Sequence, residues 1–184
     1  MTAARVRPEI EVGPIRPPQR LAPYSHAVGA EVLHPDSDVV AEQSEGDAFG
    51  RLILLFDPDG DEAWNGTMRL VAYIQADLDE AVAADPLLPE VGWNWLLDSL
   101  STTGAQFNAP SGTVTRVSSA SFGKLSPRND DSEIEIRASW SPVINSPSDI
   151  FAHVQAWCNL MTEVAGLAPI PDGVASISSA RRRG

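Results

Sequence analysis

Between residues 85 and 104 the apolar positions recur with the period of an α-helix. They fall at i, i+3, i+4 and i+7, which predicts an amphipathic helix with one buried stripe formed by Trp93, Leu96, Leu97 and Leu100. Pro86 and Pro89 suit the first turn, where the missing N–H costs nothing. Gly104 suits the left-handed residue just past the end. We therefore predict one capped helix over this stretch.

A second amphipathic helix is predicted near the C-terminal end of the sequence. Ser146 fits an N-cap, Pro147 the first helical position, and Asp149 the negative charge favoured in the first turn. One buried stripe is expected, formed by Ile150, Val154, Trp157, Met161 and Val164. The helix should end near Ala165, because Gly166 follows it.

Four segments show the patterns of β-strands. Residues 50–57 are apolar almost throughout, as expected of a central strand covered on both faces. Residues 67–77 and 133–140 alternate between apolar and polar side chains, which is the pattern of a strand with one buried face. Residues 112–122 fit a further strand. Two hairpins are predicted, each of them preceding one of the two helices.

The N-terminal part of the chain gives weaker signals. Residues 24–33 fit a strand or a helix equally well. Residues 9–12 fit a short edge strand, or else part of an extended arm, because the prolines around them exclude a long helix.

The order of the clear elements is hairpin, helix, hairpin, helix. This order predicts an α+β fold, in which two ββα units form one antiparallel sheet with both helices on one face and an extra N-terminal strand or arm. A shift of 62 residues superposes Gly50 on Gly112 and Ile74 on Ile136, with too few identities around them to indicate a duplicated sequence. We expect an extended Pro- and Arg-rich arm over residues 1–20, a single domain over residues 21–171 and a flexible basic tail over residues 172–184.

The charge distribution narrows the range of partners. The net charge is −12, and residues 21–176 contain 6 basic against 23 acidic residues, a net charge of −17. Such a body repels phosphate backbones, which bind through Lys and Arg. We therefore expect no direct binding of nucleic acid by the folded part, and a protein as the partner. The basic residues near the two ends are expected to be solvated.

The remaining composition indicates a cytoplasmic protein. There is one cysteine, Cys158, so an intramolecular disulfide is excluded and a reducing compartment is favoured. No apolar run has the length of a membrane span, and the first residues show no apolar leader segment. We expect no membrane association.

The sequence contains no convincing catalytic or metal-binding motif. Asp57, Asp59 and Asp61 resemble the start of a calcium loop, but Glu62 and Met68 occupy the positions that require glycine and glutamate. An acidic hairpin loop is the favoured interpretation. Nucleophile elbows and phosphate-binding glycine loops are absent from the sequence. We therefore predict no cofactor and no metal, and we favour a non-enzymatic protein.

Cys158 and His153 also give no catalytic pair. They lie five residues apart in the second predicted helix and therefore point in different directions. Cys158 is expected to fill core space.

Two tryptophans and one arginine complete the set of candidate binding residues. Trp95 lies off the stripe of its helix, roughly opposite Trp93, and Trp64 lies in a polar loop. Exposed tryptophans favour a binding surface, whereas the alternative is that both cover the sheet or a second core layer. Arg116 and Arg137 lie inside predicted strands, where they are expected to pair with carboxylates of the protein or, for Arg116, of a ligand.

Several short motifs resemble an uncharacterised family of high-GC Gram-positive bacteria, the one filed as domain of unknown function number 3000. The likeness spans about residues 15–171, and its motifs are RLAPY at 20–24, DPDG at 57–60, EAW at 62–64, DPLL at 85–88, VGW at 91–93, GTVT at 112–115 and EIRASW at 135–140. Members carry a longer N-terminal helical segment than this chain. The resemblance implies a cytoplasmic single-domain protein without an established activity, cofactor or catalytic residue. Members are often encoded near a gene of the ribonuclease D type, which implies an RNA-related context.

Two functional hypotheses follow. The first is a non-enzymatic adaptor or regulator that binds a protein, and that reaches any RNA-related role through this partner. The alternative is a small-ligand-binding protein or hydrolase with a site between the Trp64 loop and the sheet. The sequence leaves the oligomeric state open, and a homo-oligomer is among the states it allows.

Overall fold

One antiparallel sheet of six strands organises the part of the chain that the computed structural model describes, which is residues 6–32, 48–120, 122 and 131–168. The strands are β1 (Ile10–Ile15), β2 (Tyr24–Val32), β3 (Ala48–Asp61), β4 (Gly66–Asp77), β5 (Phe107–Ser119) and β6 (Asp131–Pro142). They are arranged in the order β1-β2-β3-β4-β6-β5, so β1 and β5 are the two edges. Each neighbouring pair is antiparallel.

Three helices accompany the sheet: α1 (Glu80–Ala83), α2 (Leu88–Thr102) and α3 (Ile150–Val164). α2 and α3 pack against each other and against the same face of the sheet. This face carries the central row Gly50, Ile74, Ile136 and Val114 from four adjacent strands. The predicted α+β class with an antiparallel sheet is confirmed.

The core forms where the helices meet this central row. A Cβ atom added at Gly50 would lie 3.2 Å from the Trp157 ring and 3.3 Å from Ile74, so α3 approaches β3 closely only because residue 50 lacks a side chain. Trp157, Leu96 and Leu100 are completely buried, as predicted. Four other members of the predicted stripes, Trp93, Leu97, Ile150 and Val154, are only half-buried. Burial of a large apolar side chain contributes roughly 1.5–3 kcal/mol, which makes this layer the main source of stability.

The ends of the helices differ slightly from the prediction. Pro89 lies in the first turn of α2, and Gly104 has φ +72° just past its end, as expected. α3 begins three residues after the predicted first helical position. Ser146 is not its N-cap, because the Asp149 carboxylate accepts hydrogen bonds from the Ser146 N–H and hydroxyl at 2.8 and 2.7 Å. This turn holds the backbone out of the helix until Ile150.

The N-terminal segments form two strands of the sheet. β2 pairs with β3 along its whole length, which settles the choice between strand and helix for residues 24–33 in favour of a strand. β1 lies within the predicted arm and pairs with β2 from Ile10 to Ile15. The predicted tail over residues 172–184 lies outside the described residues.

No helix among the described residues combines the length and the apolar character needed to cross a membrane.

Candidate functional site

Trp95 lies half-buried in a groove between α2 and α3. It separates two depressions of about 440 Å³ each, and Glu163 lines both of them. We call the two depressions together the Trp95 groove, whose lining includes Leu78, Asp79, Val82, Trp95, Asp98, Ser99, Thr102, Asn159, Thr162, Glu163 and Gly166. The indole also packs against the edge of the core, so it is held in place.

The charge of the Trp95 groove is negative. Asp98 and Glu163 are exposed carboxylates in its first depression, and Asp79 adds a third in the second depression. Arg7 also lines the groove, but its guanidinium donates to the Glu9 carboxylate at 2.9 Å. The groove thus combines an aromatic surface with three exposed carboxylates, those of Asp79, Asp98 and Glu163, which form no ion pair among the described residues. This combination attracts a lysine or arginine side chain.

Trp64 lies at the other end of the molecule. It belongs to a one-turn 3-10 helix, Glu62–Trp64, that joins β3 to β4. The Trp95 groove includes the far end of β4 at Asp77, and the 12 residues of this strand span roughly 35 Å. The structure therefore does not bring the two candidate tryptophans together.

The three aspartates of the acidic loop have local structural contacts. Asp57 accepts a hydrogen bond from the Asp59 N–H at 3.0 Å, and Asp61 caps the 3-10 turn by accepting from the Ala63 N–H at 2.8 Å. Within the described ranges no group of three metal-ligating side chains comes together. The contacts of Asp57 and Asp61 explain why this loop has its shape.

The two strand arginines behave differently from each other. Arg137 forms a salt bridge with Glu135 at 2.9 Å and lies 5.6 Å from the centre of the Tyr73 ring, in agreement with the predicted carboxylate partner. Arg116 instead donates to the backbone carbonyls of Ala83 and Asp85 at 2.7 and 3.2 Å. It therefore fastens β5 to the segment between α1 and α2.

A buried arginine that sequence reasoning missed lies beneath the Trp64 loop. Arg69 is only 7% exposed, and its guanidinium donates to oxygen atoms of β5 and β6. The acceptors are the Ala109 carbonyl (2.8 Å), the Ser139 carbonyl (3.3 Å) and the hydroxyls of Ser111 (2.9 Å), Ser139 (2.8 Å) and Ser141 (3.0 Å). The Ser141 hydroxyl in turn donates to the Trp64 carbonyl. Burial lowers the pKa of the guanidinium, which nevertheless stays charged at neutral pH.

A signal for this cluster is present in the sequence. Arg69 interrupts the otherwise uncharged central part of β4, and Ser139 and Ser141 lie two residues apart on β6, so they share a face. The sequence pattern does not show that Arg69 lies beside Ser139 and Ser141, because this follows only from the register in which β4 pairs with β6.

The open face of the sheet, opposite the helices, carries a shallow depression of about 400 Å³. Gly13 and Gly29 lie on its floor, and Glu11, Phe49 and Arg51 are among the side chains around it. A second depression of about 380 Å³ adjoins it on the other side of Arg51. Among the described residues, this guanidinium has no hydrogen-bond partner.

His153 and Cys158 are both buried in the core. The Trp140 Nε1–H donates to His153 Nδ1 at 3.1 Å, and the two rings are stacked. Burial lowers the pKa of His153, although the nearby Asp149 carboxylate opposes this effect, and it raises the pKa of the Cys158 thiol to about 11. A neutral imidazole and a protonated thiol are thus the resting forms, and a buried thiol with a raised pKa is chemically inert.

We expect stability to fall as the pH decreases from 7 to 5, because of His153. Its pKa is lower in the folded than in the unfolded chain. As the pH falls below about 6.5, the imidazole is therefore protonated in the unfolded chain while it is still neutral in the folded chain, and this favours unfolding. A loss on the order of 1 kcal/mol is expected in urea unfolding across this window. Protonation of Nδ1 would also remove the acceptor of Trp140.

The matched variant for this experiment is His153→Asn. Its amide oxygen can replace Nδ1 as the acceptor for Trp140 but does not titrate. The variant should lose less stability than the parent between pH 7 and 5. An unchanged pH dependence would show that other groups cause the loss. Asp149, whose pKa is lowered by its hydrogen bonds to Ser146, acts in the same direction only at more acidic pH.

These features define a class of protein: a small α+β protein whose most distinct surface feature is a helix-lined groove with a tryptophan and carboxylates. The chain belongs to the family described as protein of unknown function (DUF3000), whose family model matches residues 1–175. Neither the curated proteins nor the solved structures contain a match to this chain.

Proposed function

We propose that the chain is a non-enzymatic adaptor or regulator that binds a basic segment of a partner protein in the Trp95 groove. The observation that supports this function most strongly is the position of Trp95 between two depressions that share the Glu163 carboxylate. A cation over an indole face gains about 0.5–2 kcal/mol, and neighbouring carboxylates add to this attraction. Each depression has a volume suited to one or two long side chains.

The negative charge of the whole body favours the same partner. A net charge of −17 over residues 21–176 accelerates the approach of a positively charged segment and repels RNA itself. Proteins that handle RNA contain many Lys and Arg residues. The RNA-related context implied by the family resemblance therefore makes basic segments of RNA-processing proteins the first candidates.

Trp95→Ala should weaken the binding of a Lys- and Arg-rich peptide by about tenfold, which corresponds to about 1.4 kcal/mol. The loss arises because the aromatic surface between the two depressions is removed. Fluorescence anisotropy of a labelled peptide measures the affinity, and added salt should weaken binding to the parent protein. Equal affinities for the parent and the variant would contradict this function.

Trp64→Ala is the control. Trp64 precedes the Gly66 end of β4, whereas the groove lies at the Asp77 end, so this substitution should leave peptide binding unchanged. An acidic peptide of the same length should not bind. Asp98→Asn and Glu163→Gln should each reduce the affinity without altering the fold, since both residues are exposed. Pull-down from native lysate, with the basic peptide as competitor, then identifies the natural partner.

The alternative of a small-ligand protein or hydrolase has less support. Between the Trp64 loop and the sheet, the Arg69 guanidinium already donates to five oxygen atoms of the protein. Arg116 and His153 do not share a described pocket, and they bind backbone carbonyls and Trp140 instead. The smaller depression on the open face, which Arg16 and Arg51 line, favours a small ligand that carries a carboxylate, and calorimetric titration of the parent and of Arg51→Met would detect it.

We also propose that residues 48–164 consist of two ββα units related by a local two-fold axis. In support, β4 and β6 are antiparallel neighbours at the centre, β3 and β5 flank them, and α2 packs against α3. Ile74 and Ile136, which match under a shift of 62 residues, pair directly, as positions on such an axis would. A crystal structure would test this description. The rotation that superposes the β3–β4 hairpin on the β5–β6 hairpin should also superpose α2 on α3, and a failure to do so would contradict it.

A further inference from the structure

The sheet ends on one side at an unprotected strand. β5 has 13 residues, and nothing among the described residues pairs with its outer edge. Long open edges are usually shortened, charged or interrupted by proline, because they pair readily with other chains. The opposite edge follows this rule, since β1 has six residues and contains Pro14. β5 contains Pro110 and a bulge near its start, but its remaining residues 111–119 contain no proline and one charged residue, Arg116.

The two sides of the sheet differ in how they continue. β3 and β5 each lie next to one of the two central strands, β4 and β6. The outer edge of β3 pairs antiparallel with β2, whereas β5 has no equivalent neighbour in the described ranges. An antiparallel strand beside β5 would therefore continue the sheet as β2 continues it on the other side.

α2 lies above the pair formed by β5 and β6. A Cβ atom added at Gly92 would lie 3.2 Å from Val114 of β5 and 3.3 Å from Ile134 of β6. The helix axis is thus close to the edge of the sheet. A strand added to β5 would run beside α2 and beneath its outer flank.

This outer flank of α2 carries an apolar ridge. Trp93 and Leu97, at i and i+4, are half-buried on the side of the helix away from Trp95 and α3. The Trp93 ring covers Gly112 at the sheet edge, where an added Cβ would approach it to 2.9 Å. A half-buried aromatic residue at a strand edge gains apolar contacts when another chain packs there.

Two copies that meet along this edge bring no acidic side chains of β5 together. β5 contains no Asp or Glu in an otherwise acidic body. The Arg116 guanidinium is already bound to the carbonyls of Ala83 and Asp85. Most other surfaces would bring carboxylates of two copies together, whereas two β5 edges bring Ser, Thr and Val side chains together.

We propose that β5 pairs antiparallel with β5 of a second copy of this chain. A two-fold axis normal to the sheet then joins the two sheets edge to edge, with the helices of both copies on one face. Strands in a sheet are about 4.8 Å apart, so the two α2 helices would lie about 10 Å apart, which is the spacing of packed helices. Trp93 and Leu97 of the two copies fill the space between them.

This dimer leaves the Trp95 groove free, because the groove lies on the opposite flank of α2. The inference therefore goes beyond the proposed function, and either one can fail without the other.

Sedimentation velocity over about two decades of protein concentration tests the proposal. The chain has a mass of 19.7 kDa, and we expect a species of twice that mass to form reversibly. Leu97→Glu and Thr113→Glu should each weaken dimerisation at least tenfold, because each adds like charges of both copies to the proposed interface. Thr113 is exposed and pairs with Arg137, so a glutamate there is tolerated within one copy.

Mixing of variants separates the interface from damage to the fold. Leu97→Glu and Leu97→Lys should each be monomeric, and an equimolar mixture should recover the dimer through opposite charges. Thr102→Glu, which adds the same charge at an exposed position on the opposite flank of α2, should dimerise like the parent. In the dimer, about half of the amides of residues 111–119 should become protected from hydrogen exchange.

A parent chain that stays monomeric overturns the proposal, and the edge then remains for a strand of another protein. A dimer that persists in both glutamate variants, or in which the β5 amides exchange freely, overturns it as well.

Discussion

Arg69→Leu should lower the free energy of unfolding by about 3 kcal/mol. Arg69 holds together three parts of the fold through five hydrogen bonds: the start of β5, the end of β6 and, through Ser141, the Trp64 loop. Leucine fills part of the volume but leaves the buried Ser141 hydroxyl and the half-buried hydroxyl and carbonyl of Ser139 without this donor. Each buried polar group that loses its partner costs about 1–3 kcal/mol.

Urea unfolding measures this loss, and the melting temperature should fall by about 6–12 °C. Arg69→Lys should recover only part of the stability, because an ammonium group cannot reproduce the fork of donors that the guanidinium directs at several acceptors. Arg51→Leu provides the control. Arg51 lies on the same sheet face but is exposed and has no hydrogen-bond partner among the described residues, so a change within about 0.5 kcal/mol is expected. If Arg69→Leu and Arg51→Leu lower the free energy of unfolding by similar amounts, then the hydrogen bonds of Arg69 do not stabilise the fold as proposed.

The architecture was largely predictable because the hydrophobic period is clear where one face of an element is buried. Ile134, Ile136 and Trp140 lie on the buried face of β6 as their alternation requires. β2 was ambiguous because its sequence fits two periods, and its pairing with β1 and β3 determines the outcome. β3 continues to Asp61 through a stretch of turn residues. Its regular pairing with β4 ends at Phe56, and an irregular segment then leads to the final pair, Asp61 with Gly66.

The candidate site was predictable only one residue at a time. The helical period placed Trp95 and Trp93 on different flanks of α2, but both indoles are half-buried, and only Leu96 and Leu100 of the predicted stripe are completely buried. The groove around it requires α3 as a neighbour, and no local pattern specifies that packing. Arg69 shows the same limit. It becomes buried because β5 bulges between Asn108 and Ser111, where Ala109 has φ +47° and turns its carbonyl toward the guanidinium. Such a bulge has no simple sequence signature.

Gly112→Ala should have an effect of similar size, with a loss of about 3 kcal/mol, at the upper end of the range for overpacking. A Cβ atom at this position would overlap the backbone carbonyl of Arg137 and come within 3.0 Å of the Ala138 Cα. Both are backbone atoms of β6, so no side-chain rotation can relieve the overlap. β5 would have to move away from β6 and would also displace the Trp93 ring.

Gly112→Ala shows whether the stability at this position depends on the close approach of the β6 backbone or only on how exposed the residue is. Gly112 is exposed, and exposure alone predicts a change within about 0.5 kcal/mol. Gly66→Ala is the matched control, because Gly66 is also an exposed strand glycine and no atom lies within 4 Å of its added Cβ. Urea unfolding of both variants gives the comparison. If Gly112→Ala is as stable as Gly66→Ala, then β5 is not held against β6 at this point, and its outer edge would be too loosely positioned to pair with a second copy.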